Sequence, residues 1–110
     1  MLEDYPWIRL KPVSIPQFLL LVPDLGMGEA ATLALGMENP SGSLLLIDDK
    51  LGRKIAKLQE MRVTGLAGVL LKSKEKGYVS SVKECLKELK DGGFYLKQSV
   101  MDDILEIAGE

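Results

Sequence analysis

Histidine is absent from this chain. Its absence removes imidazole general acid–base catalysis and most zinc sites. Cys85 is the single cysteine, so no intramolecular disulfide can form, and a lone thiol fits a reducing compartment. Aromatic residues are only 5% of the chain, so the core must be built from Leu, Ile, Val, Ala and Met. Long apolar runs are missing too. Phe18–Val22 is far shorter than a membrane span and stops at Pro23. No signal-peptide pattern is visible. These features predict a cytoplasmic, soluble protein with no membrane association. Neither sign of charge dominates: 14 basic and 16 acidic residues give a net charge of −2. That balance argues against binding nucleic acid through bulk charge and leaves room for a local basic patch. What the chain does have is 46% hydrophobic residues over 110 positions, enough for one domain with a real core.

The stretch that organises the chain is Ser43-Leu44-Leu45-Leu46-Ile47-Asp48-Asp49-Lys50. Four branched apolar residues in a row are too short for a buried helix and suit a strand covered on both faces. The run stops at two carboxylates. In an open α/β sheet, chemistry gathers beyond the carboxyl ends of the strands, which is where Asp48 and Asp49 would sit.

The remaining elements follow from periodicity and punctuation. Residues 1–6 are polar, contain Pro6 and are expected to fray. Trp7–Leu10 reads as a short strand. Ser14 is a candidate cap for a helix running from Gln17 to about Val22. A loop with Gly26 and Gly28 precedes a helix over Glu29–Met37, rich in small residues. Asn39-Pro40-Ser41-Gly42 is a turn. After the central strand, Asp48 or Asp49 caps a helix over 50–59, with Leu51, Ile55 and Leu58 expected to face inward. Arg62–Thr64 is a short strand, and a helix from Leu66 is ended by Gly77. Ser81 and Glu84 form a capping box, opening a helix whose Val82, Cys85, Leu86 and Leu89 share a face. Gly92-Gly93 ends it. Phe94–Leu96 reads as an edge strand, and a last helix from Ser99 places Val100, Ile104 and Ile107 at helical spacing. Strands alternating with helices predict an α/β fold, a short, mainly parallel sheet with right-handed crossovers.

Three carboxylates stand at element ends: Glu29, Asp48 and Asp49. Hard oxygen donors in that number suit Mg²⁺ or Mn²⁺, which keep several waters. Such a cluster can orient a phosphodiester for in-line attack. Lys50, Arg53 and Lys54 follow the acidic pair and can hold phosphates. Each residue also has an ordinary role. Glu29 in a first helical turn is favoured by the helix dipole, an Asp at a strand–helix junction is commonly an N-cap, and the three cations can be a solvated face. Cys85 sits at an inward helical position and reads as core, not as a nucleophile. A receiver-type phospho-acceptor site needs an Asp ending the next strand, and Val63-Thr64-Gly65 has none. No P-loop or dinucleotide fingerprint is present.

The run from Gly28 to Leu35, the segment Leu44–Lys50, the later Val63–Leu71, and the ending around Val82, Leu86, Leu89, Gly93-Phe94 and Ile104–Gly109 together resemble the PIN-domain-like proteins. They are similar in particular to a small prokaryotic branch described as nucleic-acid-binding. The resemblance runs from Trp7 onward. It implies a three-layer α/β/α, Mg²⁺-dependent ribonuclease fold, often the toxin of a toxin–antitoxin pair. By motif, Glu29 matches the family's second acidic residue, Asp49 with neighbouring Asp48 the acidic position after the fourth strand, and Thr64 lies near where the family continues its site.

The family opens with a strand ending in an Asp followed by Ser or Thr. Nothing before Trp7 supplies it, since Asp4 lies in a short polar tail. The resemblance therefore implies a chain truncated at its N-terminus, with 7–110 forming a single PIN-like domain equivalent to the C-terminal two thirds of the family's. Two functions compete: a weakened metal-dependent ribonuclease acting on RNA, and a non-catalytic remnant that binds or oligomerises. A homodimer is expected in either case, because Leu19–Val22 has no obvious intrachain cover and strand edges would be unpaired. An antitoxin protein is a further implied partner.

Overall fold

The computed structural model describes residues 2–110, with nothing described of the Leu2 side chain. The frayed terminus expected over 1–6 falls partly outside this range, at Met1. Leu2–Asp4 form a single 3-10 turn. The chain divides into two compact units, 1–63 and 64–110.

The first unit holds α1 (Gln17–Leu20), α2 (Met27–Met37), β1 (Leu44–Leu46), α3 (Lys50–Leu58) and β2 (Arg62–Thr64), the last closing just past the boundary. β1 and β2 pair in parallel, joined by α3, as alternation of the elements predicted. The fold is α/β. α2 begins earlier than the sequence suggested, taking Gly28 into its first turn. It packs on β1 and α3 through Ala30, Leu33, Ala34 and Gly36, all buried. Small side chains there let backbones approach closely. Leu19, Leu45, Ile47, Ala56 and Met61 complete the core, with Val13, Ile15, Leu25 and Ile55 around it.

Trp7–Leu10 is not a strand. Its β-forming residues have no partner strand, and a strand without one cannot satisfy its backbone. Pro16, not Ser14, precedes α1, and no side chain caps that helix. Leu19 is buried in the core, whereas Leu20 and Leu21 are exposed. β1 is not covered on both faces: Leu45 is 6% exposed, but Leu44 and Leu46 are 61% and 60% exposed. On α3 the fully buried positions are Gly52 and Ala56, with Leu58 exposed. The smallest residues, not the largest, face the closest contact.

The second unit is helical: α4 (Leu66–Glu75), α5 (Val82–Asp91) and α6 (Gln98–Ala108), each packing on the other two. Val82, Leu86 and Ile104 form its centre, with Ala67, Leu70, Leu71, Leu96, Met101, Leu105 and Ala108 around them. Ser81 caps α5 as predicted, its Oγ accepting from the Glu84 amide at 3.1 Å. Gly77 and Gly93 take the left-handed conformation that ends a helix. Phe94–Leu96 is not a strand. On α6 the inward set is Met101, Ile104, Leu105 and Ala108, and Val100 and Ile107 are exposed. Both sets have helical spacing, and the cover offered by α4 and α5 chose between them.

Candidate functional site

The site at the carboxyl end of β1 is built from Glu29, Asp49 and two glycines. Ile47 is buried and anchors the end of the strand. Two residues later Asp49 turns the chain into α3. Its side chain accepts the Gly52 amide at 2.8 Å, and its carbonyl accepts the Arg53 amide at 3.0 Å. Asp49 is thus the N-cap of α3, which satisfies one of the amides a helix start leaves unpaired. The second carboxylate oxygen, Oδ1, is outside that bond.

Glu29 stands at the third position of α2, with Gly26 as that helix's N-cap. Its carboxylate folds back over Gly26: a Cβ there would collide with Glu29 Oε2. Its stem lies against Gly52, where a Cβ would stand 3.5 Å from Glu29 Cγ and 3.6 Å from Asp49 Oδ2. The side chains of Glu29 and Asp49 therefore converge on one glycine, at the N-termini of two adjoining helices. Both helix starts carry partial positive charge, which favours two carboxylates held near each other. Nothing lies within 4 Å of a Cβ at Gly28, so of the two loop glycines only Gly26 makes room for the site.

Asp48 is exposed and next to this pair in sequence. Lys50, Arg53 and Lys54 are exposed on α3. Together with Lys57 they fall at i, i+3, i+4 and i+7, which is one helical face. Thr64 ends β2 and is half-buried, with its hydroxyl against Gly68 on α4. Among the described residues no group of three or more His, Cys, Asp or Glu side chains is gathered closely enough to hold a metal ion. What meets at Gly52 is the stem of Glu29 and the carboxylate of Asp49, while the Glu29 carboxylate itself lies over Gly26.

A family model described as PIN domain matches residues 1–110. The chain belongs to the PIN-domain family. No curated protein and no solved structure matches it. The PIN assignment covers both compact units and agrees with the α/β architecture and the parallel strand pair. A nuclease-like fold follows from membership. No helix among the described residues is long and apolar enough to cross a membrane.

Gly52 is the site residue that sequence reasoning passed over. A glycine inside a predicted helix is a recognisable signal of close approach, because it weakens the helix and needs a packing reason. Gly52 has that reason in Ile47, Glu29 and Asp49.

Proposed function

We propose that this PIN-domain chain is a weakened metal-dependent endoribonuclease acting at Glu29, Asp48 and Asp49. The observation that carries the reading is the convergence of Glu29 and Asp49 on Gly52. The donor types fit Mg²⁺ or Mn²⁺: hard carboxylate oxygens and no imidazole. Glu29 and Asp49 would hold the ion, with Asp48 as an adjacent oxygen donor. When bound, such an ion supplies charge stabilisation and orientation to a phosphodiester.

The chain's own residues do the rest. Asp49 keeps its orientation through the Gly52 amide, so its free oxygen is fixed by the start of α3. Glu29 lies with its carboxylate over Gly26 and its stem against Gly52, where neither glycine has a side chain to displace it. Lys50, Arg53 and Lys54 would bind the phosphates of a nucleic acid on either side of the reacting one. A small set of carboxylates makes a poorer metal site than a larger one, which is why weak turnover is expected. Cleavage of a labelled single-stranded RNA tests this. Slow Mg²⁺-dependent cleavage that chelation stops supports the proposal. Cleavage that persists in chelator contradicts it.

A second reading rests on the open face of β1. Leu44 and Leu46 are both exposed on a two-stranded sheet, and an exposed apolar strand face favours association. In this reading the chain forms a homodimer and acts by binding. We also propose a cytoplasmic location and a toxin role restrained by an antitoxin protein. Growth arrest on producing the chain alone would support the toxin role, and unimpeded growth would refute it.

A further inference from the structure

We infer that the Glu110 carboxylate is a clasp that locks α6 onto the end of α4 and the start of α5, and that opening it releases α6 as a unit. α6 ends at Gly109, whose φ of 78° places it in the left-handed region. The turn is closed by the Glu110 amide donating to Leu105 O at 2.8 Å and the Gly109 amide donating to Glu106 O at 3.1 Å. This reversal brings the Glu110 side chain back over the second unit.

Both carboxylate oxygens are then used. Oε2 accepts Lys74 Nζ at 2.9 Å and the Val82 amide at 2.8 Å. Oε1 accepts the Ser81 hydroxyl at 2.9 Å and the Lys83 amide at 3.2 Å. Lys74 Nζ also donates to Ala108 O at 2.8 Å, so the same ammonium holds the last carbonyl of α6. Ser81 is shared, donating to Glu110 while accepting from the Glu84 amide. One side chain thus joins three helices, and its own exposure is 18%. Bonds to a charged acceptor are the strong kind, and here they sit at one end of α6.

The rest of α6 is held by apolar contact along Met101, Ile104, Leu105 and Ala108. Its outer side carries Asp102, Asp103 and Glu106, all exposed, and no basic residue. Nothing else in α6 reaches the α5 amides through a polar bond among the contacts described. Opening the clasp would therefore free the helix from its C-terminal end and uncover Val82 and Leu86, which are buried beside Ile104.

Amide hydrogen exchange on the full chain tests the clasp, comparing the parent with Glu110→Gln and Gly109→Ala. The first variant removes the charge. The second leaves the charge and disturbs the turn that aims it. Both are expected to speed exchange at Val82, Lys83 and the amides of α6 by about tenfold or more while α4 keeps its protection. Unchanged exchange at Val82 and Lys83 in Glu110→Gln would overturn the inference. So would a uniform rise across α4, α5 and α6, because that describes general destabilisation and not a helix released on its own.

Discussion

Glu29 and Gly52 share one space: Glu29 Cγ is 3.5 Å from where a Gly52 Cβ would stand, and Ile47 Cγ2 is 2.8 Å from it. α2 and α3 therefore meet at a glycine, and the stem of Glu29 occupies room that a side chain on α3 would take. Gly52→Ala gains helix propensity of about 1 kcal/mol and loses more to overpacking, which costs about 1–3 kcal/mol. We expect a net loss of stability in urea denaturation. An unchanged or raised midpoint would show that Ile47 moves aside freely.

Asp49 has two separable tasks. As an N-cap it contributes about 1 kcal/mol, and Asp49→Ala should lose that much in urea denaturation. Asp49→Ser keeps a capping oxygen and removes the carboxylate. It should unfold at nearly the parent's urea concentration and lose RNA cleavage. Loss of stability in Asp49→Ser equal to that of Asp49→Ala would show that the serine hydroxyl does not reach the Gly52 amide.

Glu60 carries a φ of 58° just past the end of α3, where the Met61 amide returns to Ala56 O at 2.9 Å. A side chain in this left-handed position costs about 1 kcal/mol relative to glycine. Glu60→Gly should raise the unfolding midpoint by a matching amount, read by thermal or urea denaturation.

Glu110 is held at about 2, below its ordinary value of 4.5, first by Lys74 and then by the Val82 amide, with Ser81 and the Lys83 amide adding to both and partial burial opposing them. A depressed carboxylate pKa stabilises the folded state above the unfolded value, and that stabilisation is lost as pH falls from about 4.5 toward 2. Stability measured across that window should fall for the parent. The fall should be shallower for Glu110→Gln, which has no proton to take up there. Parallel curves would contradict the assignment.

Local punctuation was legible in the sequence, and tertiary cover was not. Ser81, and one of the pair Asp48 and Asp49, were readable as caps because a cap needs only its own helix, and the structure gives the role to Asp49. Leu44–Leu46 was readable as a strand, but its coverage depends on what lies opposite, and only Leu45 found cover. Trp7–Leu10 and Phe94–Leu96 have strand-like residues and no strand to pair with. For the site, Glu29 and Asp49 were legible from their positions at helix starts. Their meeting point at Gly52 depends on how α2 crosses α3. Glu110 gave no sequence signal, since its partners are 27 to 36 residues away.

The open face of β1 gives a test of assembly. Leu46→Lys places a charge on an already exposed strand position, so it should leave stability within about 0.5 kcal/mol. If Leu44 and Leu46 form a homodimer contact, sedimentation should show a shift from dimer to monomer. A parent chain that is already monomeric would remove this contact from the account.

Metal binding at Glu29 and Asp49 is the central claim, and Mn²⁺ titration followed by electron paramagnetic resonance tests it most directly. The account predicts one Mn²⁺ bound per chain, with affinity reduced about tenfold or more in both Glu29→Gln and Asp49→Ser while each variant stays folded. Equal Mn²⁺ affinity in the parent and both variants would contradict it and leave the two carboxylates as helix-start residues alone.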